Sequence, residues 1–196
     1  MKALLVYCHP SEASFTAAVR GVVQDHLGRA GAEIRLIDLY AERFDPVLDP
    51  EEWTGYLDHP GNIAKVRDHT NALLWADTLI FVYPTWWYGL PAILKGWLDR
   101  VFAPEVAFSL PADGDIKPGL THIKRFGVFT TCGASRLLSF WVGQPGRHTL
   151  LRGVRLLCAK RLRSCYLAHY NMDQSTPESR ARHLDQVGHR MERLLA

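Results

Sequence analysis

Short apolar runs alternate along the chain with segments in which apolar residues recur at helical spacing. The short runs are typical of strands that are buried on both faces of a sheet. They predict strands at residues 3–7, 33–39, 79–83, 126–131 and 162–169. Five strands separated by helices indicate an α/β fold with right-handed crossovers. The pattern therefore predicts a doubly wound parallel sheet with strand order 2-1-3-4-5.

The intervening segments predict helices that cover the two faces of this sheet. The first has Phe15, Ala18, Val19, Val22 and His26 on one face. Further helices are predicted at residues 63–75 and 92–102, at residues 150–158, and from Thr176-Pro177-Glu178 onward. Residues 40–61 and 104–120 are rich in Pro, Gly and Asp and are predicted to run over the surface.

Length and composition predict one domain, residues 1–196, with an ordinary hydrophobic core. The net charge is +3, and the basic residues are spread along the chain without a nucleic-acid recognition motif. We therefore expect no nucleic-acid partner. The densest basic group lies at residues 147–163. It is interpreted as a solvated surface, with contacts to the phosphates of a nucleotide cosubstrate as the alternative.

The four cysteines form neither a C-x-x-C pair nor a spacing typical of a zinc site, so no metal is expected. Most lie in or beside apolar runs, as buried thiols do, which fits a reducing, cytoplasmic setting. The first apolar run is too short for a signal peptide, and no stretch reaches membrane-spanning length.

Three loops follow strands 1, 3 and 4 and are predicted to meet, because ligands in such sheets bind at the carboxyl ends of the strands. The loop at residues 8–16 joins a strand to a helix, so its backbone N–H groups suit phosphate. Its hydroxyls and the imidazole of His9 add polar contacts, although Ser14 could simply cap the helix. It contains no glycine, which excludes the common dinucleotide and Walker A motifs.

The other two loops suit a flat ligand. Residues 83–91 place consecutive aromatic side chains between two prolines, where they cannot all face one core; core packing is the alternative interpretation. Residues 130–135 combine two threonines with small residues, which lets a ring approach the backbone closely. Cys132 as a redox nucleophile is disfavoured, because no resolving cysteine is adjacent.

With these loops the chain resembles the NAD(P)H:quinone oxidoreductase (DT-diaphorase-like) flavoproteins, which have a flavodoxin-like fold. The resemblance rests on the pattern His9-x-x-x-x-Ser14-Phe15, on the long block from Trp87 to Phe102, and on Thr130-Thr131-x-Gly133. It implies a bound flavin, with FAD favoured over FMN. It implies cofactor-binding roles for His9, Ser14, Phe15, Thr16, Pro84, Thr85, Trp86, Trp87, Tyr88, Thr130, Thr131, Cys132 and Gly133.

The resemblance also implies an activity and an assembly. The bound flavin would transfer hydride from NAD(P)H to a quinone or similar acceptor in ping-pong order, and family members are homodimers with sites at the interface. Larger members carry a Tyr and a His near the ring edge, where ungapped counting here gives Leu138 and Gln144. His148 is the candidate catalytic substitute. The half of the flavin pocket near Leu138 and Gln144 is expected to be more apolar than in other members of the family.

Rival functions differ in their expected partners. Some relatives are ancillary subunits of potassium-efflux transporters, which is the main alternative. A one-electron carrier of the flavodoxin type is disfavoured by the net charge of +3 and the first loop. A phospho-receiver domain would need aspartates where Cys8, His9, Tyr83 and Pro84 stand, so that hypothesis is discarded.

Overall fold

The computed structural model of the protein describes residues 1–111 and 114–196. Its main sheet has five parallel strands, in the order Glu33–Asp38 (β2), Lys2–Tyr7 (β1), Thr78–Thr85 (β3), Arg125–Cys132 (β6) and Arg163–His169 (β7). Two further short strands, Phe108–Ser109 (β4) and Lys117–Pro118 (β5), pair with each other. Without the short hairpin, this order is the predicted 2-1-3-4-5.

The helices lie on both faces of the sheet. They are α1 Phe15–Arg29, α2 Pro50–Thr54, α3 Arg67–Trp75, α4 Ala92–Val101, α5 Arg136–Trp141, α6 Pro145–His148 and α7 Pro177–Leu195. Thr176 caps α7 through a reciprocal pair of hydrogen bonds with Ser179, so the predicted start of the last helix is confirmed.

Two apolar clusters divide the core because successive side chains of a strand point to opposite faces. Leu4 and Val6 of β1 belong to the cluster under α3 and α4, where Trp97 is fully buried. Leu5 and Tyr7 belong to the cluster under α1 and α7. The sheet is therefore covered on both faces, and only its strand ends and edges are open to ligands.

Three predicted elements differ from the structure. The helix expected at residues 63–75 begins as a 3₁₀ segment, Gly61–Val66, and becomes α-helical at Arg67, because Val66 leaves helical dihedrals. Ala18 is exposed, and the buried stripe of α1 runs instead through Val19, Val23 and Leu27.

The segment at residues 150–158 forms a π-turn, Thr149–Gly153, followed by a 3₁₀ turn, Val154–Leu157, rather than an α-helix. The surface excursion at residues 104–120 does contain a hairpin, β4–β5. Residues 112 and 113 inside that excursion lie outside the described residues.

A buried ion pair fastens the excursion at residues 40–61 to α4. Arg100 donates from Nε to Glu52 at 2.9 Å and from a terminal nitrogen at 2.6 Å, and it also donates to the carbonyl of Asp45 at 2.6 Å. Its guanidinium lies 5.3 Å from the ring of Phe44. This satisfied network holds a segment that the sequence predicted only as surface chain.

Candidate functional site

The carboxyl ends of β1, β3 and β6 open into one cleft of about 640 Å³, called the main cleft below. Its size is typical of small-molecule sites. The predicted convergence of three loops at this edge is therefore present. The cleft is lined by His9, Pro84, Thr85, Trp86, Trp87, Tyr88, Thr131, Cys132, Gly133, Ala134, Leu138, Met172 and Asp173.

From the first loop, His9 alone is among the residues that line the main cleft. Its Nδ1 lies 3.0 Å from both the backbone nitrogen and the carbonyl oxygen of Ser11, so Ser11 holds the ring in either neutral tautomer and Nε2 makes none of these contacts. Ser14 is used as the N-cap of α1, accepting from the N–H of Ala17 at 3.1 Å. The N–H groups of Phe15 and Thr16 belong to the first turn, where helical N–H groups have no intrahelical partner.

Thr16 and Phe15 have packing roles that the sequence did not indicate. The hydroxyl of Thr16 is buried and lies 3.3 Å from the hydroxyl of Thr131, so it joins the first loop to the third. The ring of Phe15 packs against the rings of His169 and His183, at centroid distances of 5.3 and 5.9 Å. These contacts position the start of α1 rather than reach into the cleft.

A tight turn presents the aromatic cluster. The N–H of Gly89 donates to the carbonyl of Trp86 at 3.0 Å, and the two central residues have left-handed backbones, with φ of 49° at Trp87 and 61° at Tyr88. Turns of this type usually hold Asn or Gly at both positions. Two bulky residues there store strain of about 1–3 kcal/mol each, which is typical of functional sites. Trp87 is 94% exposed as a result.

The third loop is braced by hydroxyl contacts. Thr130 lies 2.8 Å from Thr85 through their hydroxyl oxygens, which joins the ends of β6 and β3. The thiol of Cys132 lies 3.6 Å from the hydroxyl of Ser139 on α5. A Cβ added to Gly133 would come within 2.6 Å of a carboxylate oxygen of Asp173, so this position admits only glycine unless Asp173 moves.

The segment after β7 supplies lining residues that the sequence analysis did not identify. Met172 and Asp173 line the main cleft, and Asp173 contributes its one lining carboxylate. A signal was available, because β7 is the neighbour of β6 and its carboxyl end must lie at the same edge. Leu138 lines the cleft, but His148 is not among the lining residues, so its catalytic role stays a prediction.

Gln144 occupies a hydrogen-bonded chain behind the cleft. Its amide nitrogen donates to the phenol oxygen of Tyr170 at 3.2 Å, and Arg147 donates to its amide oxygen at 2.7 Å. These three residues, with Tyr166, line a small recess of about 20 Å³ that also touches Thr85, Tyr88 and Cys132 of the main cleft. Burial raises the pKa of Tyr166, and the neighbouring Tyr170 adds to the shift.

The buried thiols are poor nucleophiles. Burial raises the pKa of Cys8 to about 12 and that of Cys165 to about 11, so both stay protonated at neutral pH. Within the described residues, no three His, Cys, Asp or Glu side chains come close enough together to hold a metal ion. No helix in this part of the chain is long and apolar enough to cross a lipid bilayer.

Comparison with known proteins places the chain in a family. A family model described as flavodoxin-like fold matches residues 1–191. Ribosyldihydronicotinamide dehydrogenase [quinone] of Pongo abelii is 33% identical over 150 residues, covering 68% of this chain and 64% of that protein. The chain therefore spans less than two thirds of this relative's length.

Two bacterial proteins are matched over more of their length. An uncharacterized NAD(P)H oxidoreductase of Haemophilus influenzae is 31% identical over 162 residues, covering 81% of this chain and 78% of that protein. The crystal structure of a putative quinone reductase from Klebsiella pneumoniae superposes with a TM-score of 0.84 at 27% identity, covering 99% of this chain and 85% of that one. The chain therefore belongs to the flavodoxin-like family and, within it, to the NAD(P)H quinone oxidoreductases.

Proposed function

We propose that the protein is a flavin-dependent oxidoreductase that passes hydride from NAD(P)H to quinones or similar acceptors. The observation that carries the proposal is the main cleft itself. One wall consists of consecutive aromatic residues, Trp86 to Tyr88, and the other of the small residues and backbone of Thr131 to Ala134. A flat ring with a polar edge suits such a cleft.

The residues present fit a flavin. A volume of about 640 Å³ accommodates a fused ring system, and the backbone beside Gly133 is accessible because that residue has no side chain. The first-turn N–H groups of α1 and the imidazole of His9 are suited to phosphate. Ser14, Phe15 and Thr16 would then support the phosphate site through capping and packing rather than through direct side-chain contacts.

When bound, the flavin would supply the hydride chemistry, and the protein would bind the flavin, orient it and shield it from water. The strained turn holds Trp87 and Tyr88 in place without rearrangement. Thr85 and Thr130 brace the cleft floor through their hydroxyls. Leu138 and Met172 give their part of the cleft an apolar lining, which favours apolar acceptors such as quinones. The thiol of Cys8 beside the first loop stays protonated at neutral pH, so it offers no nucleophilic thiolate.

We also propose which flavin is bound, where the protein works and how it assembles. We favour FAD over FMN because the first loop matches the FAD-binding pattern, and we propose a cytoplasmic protein that works as a homodimer. Exposed aromatic residues support the dimer, because monomers rarely expose such apolar surface. Trp87, which lines the main cleft, is 94% exposed, and Trp141 on α5 is 85% exposed.

The ancillary-subunit hypothesis stays open as an alternative role for the same flavin site, and no surface of the described residues specifically favours it. Turnover without a transporter present would show that the enzyme activity needs no such partner. Sustained quinone reduction by the isolated protein is therefore also the observation that separates the two roles.

The test is release and identification of the cofactor, followed by kinetics. The protein is purified, heated, and its supernatant separated by chromatography against FAD and FMN standards. We expect bound FAD, and parallel double-reciprocal plots when NAD(P)H and a quinone are varied. A protein that neither carries nor takes up either flavin would overturn the proposal.

The variant Gly133→Ala should lose flavin, whereas Gly153→Ala, whose Cβ would meet nothing within 4 Å, should keep it.

A further inference from the structure

A second cleft lies beside the edge strand β7, on the side of α5 that faces α7. Its volume is about 790 Å³, compared with about 640 Å³ for the main cleft, and both are within the usual range for small-molecule sites. Its walls come from α5, α6, α7 and β7, which are separate from the first two loops of the main cleft.

The charged residues that line the second cleft are all basic among those described. Arg136 from α5, Arg147 from α6 and Arg190 from α7 all line it, and no Asp or Glu is among its described lining residues. Within residues 1–111 and 114–196, none of these three guanidinium groups forms an ion pair. Unpaired guanidinium groups that line a concave site are suited to bidentate recognition of carboxylate, sulfonate or phosphate.

Aromatic side chains also line the second cleft and offer flat faces to a ligand. Tyr166, Tyr170 and Phe140 line the second cleft, and the guanidinium of Arg147 lies 5.1 Å from the ring centroid of Tyr166. Phe140 is largely exposed, so its ring has no partner within the chain to displace. An aromatic ring on a ligand could pack on these faces while its anionic group meets the arginines.

A small recess of about 20 Å³ lies between the second cleft and the main cleft. Gln144, Arg147, Tyr166 and Tyr170 line both this recess and the second cleft. Tyr88, with Thr85 and Cys132, lines both the recess and the main cleft. A ligand on Arg147 would therefore touch the same hydrogen-bonded chain that lies behind the main cleft.

We propose that this second cleft binds a small organic anion that carries a flat aromatic ring. The site is distinct from the proposed flavin site, so it stands whether or not the flavin assignment holds. Flat rings joined to anions have two sources here, a free small molecule or the adenosine diphosphate part of bound FAD. We assign the cleft to the free small molecule.

The test uses the intact, flavin-free protein and the fluorescent probe 1-anilinonaphthalene-8-sulfonate. We expect saturable binding that the double variant Arg136→Ala/Arg190→Ala weakens about tenfold or more, since each charge-assisted contact is worth about 1.5–3 kcal/mol. The control Arg152→Ala/Arg163→Ala removes the same charge from exposed positions that do not line the cleft, and it should bind like the original. The single variant Arg136→Gln gives an intermediate loss even if the double variant folds poorly.

Three outcomes would overturn the proposal. Equal loss in the two double variants would show that the probe reports general charge, and equal binding of the uncharged analogue N-phenyl-1-naphthylamine would show that it reports apolar surface. Exclusion of the probe by FAD but not by FMN would show that the cleft belongs to the cofactor. Probe binding that persists in FAD-loaded protein supports the free-ligand assignment.

Discussion

The hydroxyl of Thr16, in the first turn of α1, lies 3.3 Å from the hydroxyl of Thr131 near the end of β6. Both side chains are buried, so this contact crosses the sheet edge and fixes the first loop against the third. Those two loops carry the proposed phosphate and ring contacts. This pair of hydroxyl groups therefore adds a direct link between the two halves of the proposed flavin site, whose strands the sheet already holds in register.

Replacing Thr16 with Val should destabilise the protein by about 1–3 kcal/mol, because it keeps the shape but leaves the buried hydroxyl of Thr131 without this partner. Flavin affinity should fall as well, since the two loops lose their connection. Urea unfolding and flavin titration measure the two effects. The double variant Thr16→Val/Thr131→Val should recover much of the stability, and simple additivity of the two single effects would contradict the account.

Strain at the aromatic turn can be measured separately from the loss of the ring. Trp87 is almost fully exposed, so removing its side chain costs little packing. Trp87→Gly relieves the left-handed backbone and Trp87→Ala does not, so we expect the glycine variant to be about 1 kcal/mol more stable than the alanine variant. Both should bind flavin less tightly. Equal unfolding midpoints for the two would show that the turn is not strained.

The buried pair of Arg100 and Glu52 should dominate the stability of the excursion at residues 40–61. Arg100→Met leaves the carboxylate of Glu52 buried without its partner, and we expect a loss of about 3–5 kcal/mol in chemical unfolding. Lys95→Met on the same helix breaks an exposed pair with Asp99 and should cost less than about 1 kcal/mol. Similar losses in the two variants would refute the distinction.

The neighbouring residues His169 and His183 predict that the folded protein loses stability in acid. Burial and, to a smaller extent, the neighbouring His169, at a ring distance of 4.9 Å, together lower the pKa of His183 to about 4. The unfolded value is about 6.5. The unfolded chain therefore binds more protons between these values, and stability should fall as the pH drops from about 6.5 to about 4.

The contribution of His183 can be isolated by comparing slopes. Its share approaches about 1.4 kcal/mol per pH unit within that window. His183→Phe keeps a ring against Phe15 but cannot take up a proton, so its stability should depend less steeply on pH than that of the original protein. Parallel curves for the two proteins over this window would contradict the assignment.

The sequence predicted the parts of the fold that depend on periodicity. Continuous apolar runs such as Leu79 to Val82 identify buried strands, and alternating elements then restrict the topology to few choices. The convergence of the loops near His9, Trp86 and Thr131 followed directly, because parallel strands place their carboxyl ends at one edge.

What the sequence could not predict depends on side-chain placement and local backbone geometry. The hydroxyl of Thr16 looked available for phosphate, yet it turns to Thr131, a contact between residues 115 positions apart. Left-handed dihedrals at Trp87 and Tyr88 contradict residue preferences and arise from the close contact of Trp86 with Gly89. Asp173 entered the cleft from a loop whose composition carries no distinctive motif.

The central claim is that the main cleft holds a flavin that accepts hydride from NAD(P)H and delivers it to a quinone. The most direct measurement is anaerobic mixing of the flavin-loaded protein with one equivalent of NADH or NADPH, followed by one equivalent of a quinone, while the flavin absorbance is recorded. The account predicts that the yellow band bleaches stoichiometrically and returns when the quinone is added. A band that neither nicotinamide bleaches, or that the quinone does not restore, would contradict it.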